Sequence, residues 1–138
     1  MTQRTFELGL ASLYGPPENT LKKLEVQVFA DGKWELLDLN LKTRGFLIFV
    51  YSVFICQHMY LHSNATELGL ALDTVTGRFN LTTSEDWFVD EIHASFDVAL
   101  RSGRATADDV AYIVERMKNC PVSRNLKDAA KDTKLQFV

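Results

Sequence analysis

The segment Phe46-Leu-Ile-Phe-Val-Tyr-Ser-Val-Phe-Ile-Cys56 is an almost unbroken apolar run. Its Phe, Ile, Val and Tyr residues favour a strand by intrinsic propensity. Its length favours a helix, because the stretch from Arg44 to about His62 has no Pro and no Gly after Gly45, and strands rarely exceed about ten residues. We therefore predict a helix from Arg44 to about His62 that is apolar, and hence buried, on nearly all sides.

This run is too short to span a bilayer. From Phe46 to Met59 it covers about 14 residues, whereas a spanning helix needs about 20. Ser52, Gln57 and His58 also interrupt it. We expect a core element and no membrane association.

The composition is that of an ordinary soluble domain. The 138 residues are 46% hydrophobic and 24% charged, which predicts one domain over residues 1–138 with a real core. The net charge is -3 and there is no long basic run, which argues against a nucleic-acid partner. Met1 to Glu7 lacks the apolar stretch of a signal peptide, so we expect a cytoplasmic protein.

Strands are predicted on both sides of the central helix from runs that alternate apolar and polar residues. They cover Thr5 to Tyr14, Leu24 to Phe29, Trp34 to Asp38, Glu67 to Leu72, Gly77 to Leu81, Ile92 to Leu100 and Lys134 to Val138. Turns are expected at Asp31-Gly32 and at Thr76-Gly77.

Two further helices are expected in the second half of the chain. One begins at Thr106, with Asp109 in the position of a capping-box partner, and runs to Met117. A short helix restarts at Cys120-Pro121, because Pro suits the first helical position. Runs of strands with segregated helices predict an α+β fold.

Cys56 and Cys120 are the only cysteines in the sequence. Cys56 lies in the apolar run. Cys120 lies at the N-terminus of the predicted short helix, where a thiolate is favoured. If the fold brings them together, they form a dithiol that can cycle with an oxidant. The alternative is that both are buried small hydrophobes, as free cysteines usually are. Structural disulfides are uncommon in the cytosol, so a functional pair is expected to be redox-active.

The histidines of the predicted central helix are weak candidates for a metal site. His58 and His62 are one turn apart and could share an ion. Two ligands do not make a zinc site, and the sequence has no Cys-x-x-Cys or His-Glu-x-x-His motif. We predict no metal and no cofactor, with both histidines facing solvent or an interface.

The second half of the chain resembles the OsmC/Ohr family, the osmotically inducible and organic hydroperoxide resistance proteins. The resemblance rests on a Cys late in an apolar helix at Tyr51-Ser-Val-Phe-Ile-Cys56, on the strand pattern Glu91 to Val98, on the helix Thr106 to Met117, and on Cys120-Pro-Val-Ser123 followed by Leu126. It covers roughly Arg44 to Leu126, and the separation of the two cysteines is similar to that in the family.

The resemblance implies a fold, an assembly and a chemistry. The fold is a two-layer α+β arrangement with an antiparallel sheet and central helices, in an intertwined homodimer. The activity is the reduction of alkyl or fatty-acid hydroperoxides, with Cys56 as the attacking thiol, Cys120 as the resolving thiol and a dithiol as the reductant.

The sequence lacks the residues that stabilise the reactive thiolate in the family. The Glu that usually precedes the first Cys by about ten residues is absent from Thr43-Arg-Gly-Phe46, and no Arg lies around Tyr14 to Asn19. Without a cation, a thiol in apolar surroundings stays protonated. Arg44 is twelve residues before Cys56 and, at 1.5 Å per residue, about 18 Å away along a helix, so it can act only across a dimer interface. The alternative function is a non-catalytic OsmC-like protein that binds a small apolar ligand in the dimer cleft.

Overall fold

The computed structural model describes residues 3–138, without the side chains of residues 130 and 131. Within this part of the chain, six strands, two α-helices and one short 3₁₀ helix follow one another. In chain order they are β1 (Arg4–Gly15), β2 (Thr20–Ala30), β3 (Lys33–Leu36), α1 (Gly45–Glu67), β4 (Ala71–Thr83), β5 (Val89–Ser102), α2 (Ala107–Lys118), the 3₁₀ helix (Ser123–Leu126) and β6 (Ala130–Phe137).

The strands form one mixed sheet in the order β3-β2-β1-β4-β5-β6. The four pairings from β3 to β5 are antiparallel, as predicted, and β6 is parallel to β5. A parallel neighbour requires a crossover connection, and α2 with the 3₁₀ helix provides it. The two-layer α+β architecture expected from the sequence is confirmed, with α1 and α2 packed on each other and on the sheet.

The predicted central helix is confirmed. The length of the apolar run, which favoured a helix, was thus a better guide than its residue types, which favoured a strand. α1 runs from Gly45 to Glu67, past the predicted end at His62. The prediction that it is buried on nearly all sides is wrong for this chain. Its buried residues follow the three- and four-residue spacing of a single helix face: Val50, Val53, Phe54, Gln57, His58, Leu61, Asn64 and Ala65. The opposite face is apolar but open, with Ile48 41% and Met59 62% exposed.

The prediction that the apolar segment is too short to span a bilayer does not hold for the whole helix, because α1 is long and apolar enough to cross a membrane by length and composition alone. It has 23 residues, and its most apolar 18-residue window has a mean hydropathy of 1.3. The core helix of a soluble protein meets the same criteria. One third of that window, 33%, is buried inside the chain.

The segment between α1 and β5 differs from the prediction. Two short strands with a turn at Thr76-Gly77 were expected, but β4 is one continuous strand, and Glu67 belongs to α1. Gly77 pairs with Leu10 on one side and Phe96 on the other. A Cβ at Gly77 would lie 3.0 Å from ring atoms of Phe54 and Phe96. The glycine therefore marks a close approach of rings to the strand and not a turn.

Two local signals in the sequence are confirmed. Asp31 and Gly32, between β2 and β3, have positive φ angles of 53° and 79°, which a tight hairpin turn of this kind requires. Thr106 caps α2 in a capping box, since its side chain accepts from the Asp109 N–H while the Asp109 carboxylate accepts from the Thr106 N–H, both at 3.0 Å.

We predict that Gly77→Ala destabilises the fold by about 1–3 kcal/mol, because the added methyl overpacks the Phe54 and Phe96 rings. Gly9→Ala is the matched control. Gly9 lies on the neighbouring strand, and a Cβ there meets the nearest atom, the Gly77 carbonyl oxygen, at an ordinary 3.6 Å. Its free energy of unfolding should stay within about 0.5 kcal/mol of the wild-type value. Equilibrium unfolding in urea, with the folded and unfolded baselines both fitted, measures the difference in the free energy of unfolding. Equal effects of the two substitutions would contradict the packing argument.

Candidate functional site

The register of α1 against the sheet decides where Cys56 points. The Phe54 ring is fully buried and stacks on Phe79, with centroids 5.0 Å apart, and lies 5.6 Å from the Phe96 ring. Successive residues turn by about 100° on an α-helix, so Cys56 lies about 200° from Phe54. Its thiol therefore faces away from the sheet and is only partly buried.

Cys120 reaches the same region from the end of α2. Its backbone N–H donates to the Met117 carbonyl at 3.3 Å, which closes the last turn, and its side chain is 0% exposed. The Sγ–H of Cys120 donates to Ser123 Oγ at 3.2 Å, and the Ser123 backbone N–H donates to the Cys120 sulfur at 3.4 Å. The predicted short helix begins at Ser123, so Cys120 and Pro121 belong to the turn before it.

The two thiols lie near each other. Burial is the largest influence on Cys56 and raises its pKa; a hydrogen bond with Cys120 and the charge of Cys120 raise it further. The backbone amide of Val122 donates to Cys56 and lowers the pKa. The net result is a Cys56 pKa of about 11. Consecutive amides, those of Val122 and Ser123, thus donate to the two sulfurs.

Arg44, the third predicted site residue, does not join the cysteines within the chain. It is the N-cap of α1, makes no side-chain capping bond there, and is exposed. The helix now observed between it and Cys56 keeps the two about 18 Å apart. In the part of the chain that the structure describes, none of the groups that shift the Cys56 pKa is a cation.

Gln57 and Ser123 are buried polar residues of this site that the sequence reasoning missed. Gln57 is 2% and Ser123 4% exposed, and the Gln57 Nε2 donates to Ser123 Oγ at 3.3 Å. In the sequence Gln57 stands out only as an interruption of the apolar run. A polar residue beside a cysteine, on the buried face of an apolar helix, was the available signal.

His58 and His62 have separate structural partners. His58 is 2% exposed, and its Nε2 lies 2.6 Å from Tyr14 Oη and 3.1 Å from Ser12 Oγ. Burial, and then the neighbouring His62, lower the His58 pKa to about 4. His62 Nε2 lies 2.6 Å from the Asn19 carbonyl oxygen. The expectation that His58 faces solvent or an interface is wrong. Within the described residues, no group of three or more His, Cys, Asp or Glu side chains could hold a metal ion.

The geometry defines an α+β protein with a dithiol between its central helix and the connection to the last strand. No protein-family model matches the sequence, and no curated protein sequence matches it. Several solved structures are similar in fold, and two of them serve as examples. An OsmC-like protein from Mycoplasma pneumoniae has a TM-score of 0.52 and 11% identity, over 83% of this chain and 87% of that chain. An OsmC-like hydroperoxide resistance protein from Jannaschia sp. CCS1 has a TM-score of 0.54 and 14% identity, over 93% and 90%. The chain has the OsmC/Ohr fold.

We predict that Cys56 of the single chain, without any group from a second copy, reacts with iodoacetamide slowly at neutral pH, because only the thiolate is the nucleophile and its pKa is about 11. The rate should rise about tenfold per pH unit to about pH 10, whereas an unperturbed thiol levels off near pH 8.5–9. Cys120→Ala should lower the Cys56 pKa, because it removes a hydrogen bond and a charge that raise it. Mass spectrometry of the alkylated protein, kept folded throughout, measures the rate. A plateau below pH 9 in the monomeric protein would contradict the prediction.

Proposed function

We propose that this protein reduces organic hydroperoxides through Cys56 and Cys120 and serves in oxidative stress defence. The observation that carries the proposal is the arrangement of the two thiols. They lie near each other, with Cys56 partly accessible and Cys120 fully buried beside it. A two-thiol peroxidase needs this arrangement. The peroxide must reach the first sulfur, whereas the second sulfur needs to reach only the oxidised first sulfur inside the protein.

The chemistry assigns one step to each thiol. The Cys56 thiolate attacks the terminal oxygen of R–O–O–H; the O–O bond breaks, Cys56 becomes a sulfenic acid, and the alkoxide takes a proton to leave as an alcohol. The Cys120 sulfur then attacks Cys56, which forms the S–S bond and releases water. A dithiol reductant restores both thiols by exchange. Accessibility supports this order, because a bulky hydroperoxide meets Cys56 and not Cys120.

We propose a homodimer formed through the open face of α1. That face carries Ile48 and Met59, which are apolar and exposed in the single chain. A second copy that covers it would bury well over about 1,000 Å², the range of a stable interface. We assign Arg44 as the cation that activates Cys56 across this interface, because it is exposed at the start of α1 and too far from Cys56 in its own chain. We place the protein in the cytoplasm as a single soluble domain, with no membrane or nucleic-acid partner.

A second function is favoured by one specific observation. The Cys56 pKa is raised to about 11, which leaves little thiolate at neutral pH. If no cation lowers this pKa in the assembled protein, the cysteines serve as apolar lining. The protein would then be a non-catalytic member of the fold that binds a small apolar ligand in the dimer cleft.

We expect stoichiometric cumene hydroperoxide to consume both thiols together and to give an intramolecular disulfide. Cys120→Ser should instead leave a sulfenic acid on Cys56 that dimedone traps, and Cys56→Ser should lower peroxide consumption at least about tenfold. Thiol titration and mass spectrometry of the same samples provide the readout. Peroxide consumption at the wild-type rate in Cys56→Ser would show that the roles are wrong. No reaction of either thiol at neutral pH would favour the binding function.

Light scattering at micromolar protein should give the mass of a dimer. Ile48→Glu should reduce that mass to the monomer's, because it places a charge in the apolar interface. Leu13→Glu is the matched control, since Leu13 is equally exposed at 41% but lies on the sheet face away from the helices. A monomeric wild type, or equal dissociation by both substitutions, would exclude this interface.

A further inference from the structure

A short line of buried polar groups connects α1 to the turn that carries Cys120. Gln57 Nε2 donates to Ser123 Oγ at 3.3 Å, and Ser123 Oγ lies 3.2 Å from the Cys120 sulfur. These residues are 2%, 4% and 0% exposed, in that order. Gln57 directly follows Cys56, so the line begins beside one thiol and ends at the other.

Stability alone does not explain a glutamine at this position. Among the described residues, the Gln57 Oε1 has no hydrogen-bond partner although it is buried. A buried acceptor without a partner lowers the stability of the fold, and an apolar side chain of similar size would avoid that loss. A buried polar group that is left unpaired in a native structure calls for an explanation, and a redox or catalytic role is one such explanation.

The hydrogen bonds to Ser123 fix how that residue meets the Cys120 sulfur. The Ser123 backbone N–H already donates to the sulfur. In the reduced protein the Cys120 thiol donates its proton to Ser123 Oγ. Once that proton leaves, the Gln57 amide still occupies one lone pair of Oγ. The Ser123 hydroxyl is then free to turn its own hydrogen toward the sulfur, which receives two donors from one residue.

We propose that Gln57 and Ser123 are positioning residues that hold the Cys120 sulfur for its attack on oxidised Cys56. The inference rests on the proposed peroxidase function and adds which residues govern its second step. In that step Cys120 loses its proton, its sulfur forms the S–S bond with Cys56, and the S–O bond of the sulfenic acid breaks. The hydroxide leaves with that proton as water. Gln57 directly follows Cys56, so its hydrogen bond to Ser123 holds the turn of Cys120 close to the electrophilic sulfur. The Cys120 sulfur then needs less motion to reach the attack geometry.

Gln57→Met and Ser123→Ala test the proposal against two readouts. Methionine keeps the length and burial of glutamine but removes its amide, so the variant should fold. After one equivalent of cumene hydroperoxide, Cys56 oxidation should proceed within about twofold of wild type, whereas the sulfenic acid that dimedone traps should persist about tenfold longer. Ser123→Thr keeps the hydroxyl, so its Cys56–Cys120 disulfide should form at the wild-type rate. A residue with only a structural role would not separate the two steps.

A second assay measures the attack of Cys120 without peroxide. Reaction of Cys56 with Ellman's reagent leaves a thionitrobenzoate mixed disulfide, and attack by Cys120 expels a second, coloured thionitrobenzoate; Cys120→Ser gives the baseline. Gln57→Met and Ser123→Ala should slow this second release about tenfold. Asn64→Leu is the matched control, because Asn64 is another buried polar residue of α1, 3% exposed, whose side chain hydrogen-bonds to Tyr60 and Arg116. It should release at the wild-type rate.

The two assays separate failure of the inference from failure of the function. If wild type ignores peroxide but Gln57→Met slows thionitrobenzoate release, the positioning role holds and the peroxidase proposal fails. If wild type reduces peroxide and both variants close their disulfide as fast as wild type in both assays, the positioning role is wrong. Slowing by Asn64→Leu equal to that by Gln57→Met would also overturn it, because any loss of a buried polar group in α1 would then suffice.

Discussion

The contact between the Phe54 ring and Gly77 is the constraint on which the rest of the structure depends. A Cβ at Gly77 would lie 3.0 Å from that ring, so α1 can approach the sheet this closely only where β4 has no side chain. Phe79 and Phe96 close around Phe54 and fix its rotation. Once Phe54 faces the sheet, the helical repeat turns Cys56 away from it. The register of one aromatic residue thus decides that one sulfur of the pair is accessible.

The turn that carries Cys120 supplies dipoles to the thiols, but no full charge within the described residues. The amides of Val122 and Ser123 each donate to one sulfur. A backbone amide lowers the Cys56 pKa less than burial and Cys120 raise it, so the pKa stays at about 11. The arrangement therefore favours closure of a disulfide, which needs proximity, more than it favours a resting thiolate, which needs a cation. If Cys56 acts as a thiolate at neutral pH, the group that lowers its pKa has to come from outside this set of groups.

The sequence predicted those features that local chemistry determines. The Thr106 capping box, the Asp31-Gly32 turn and the helical length of the apolar run all follow from neighbours in the chain. The prediction of a turn at Gly77 is wrong because the need for a glycine there comes from a residue distant in sequence, the Phe54 ring of α1. The proximity of Cys56 and Cys120 followed from a family resemblance and not from their spacing. Gln57 was missed because its partner, Ser123, is 66 residues away in sequence.

Among the described residues, the single chain leaves an apolar face of α1 open and has no cation among the groups that shift the Cys56 pKa, and one two-fold contact can supply what both lack. In a two-fold interface, if residue i contacts residue j of the second copy, then j contacts i. Arg44 therefore meets the second copy's Cys56 only if the axis passes midway between the two positions, near Val50. Val50 itself is buried, so Ile48 and Ser52, which lie about 160° and 200° around the helix from it, are the residues that would lie closest to the axis on the free side. An axis that passes instead near Cys56 would place the two Cys56 thiols together and leave each Arg44 about 18 Å away, without its role. The position of the axis along α1 thus discriminates between an activated thiol and an apolar cleft.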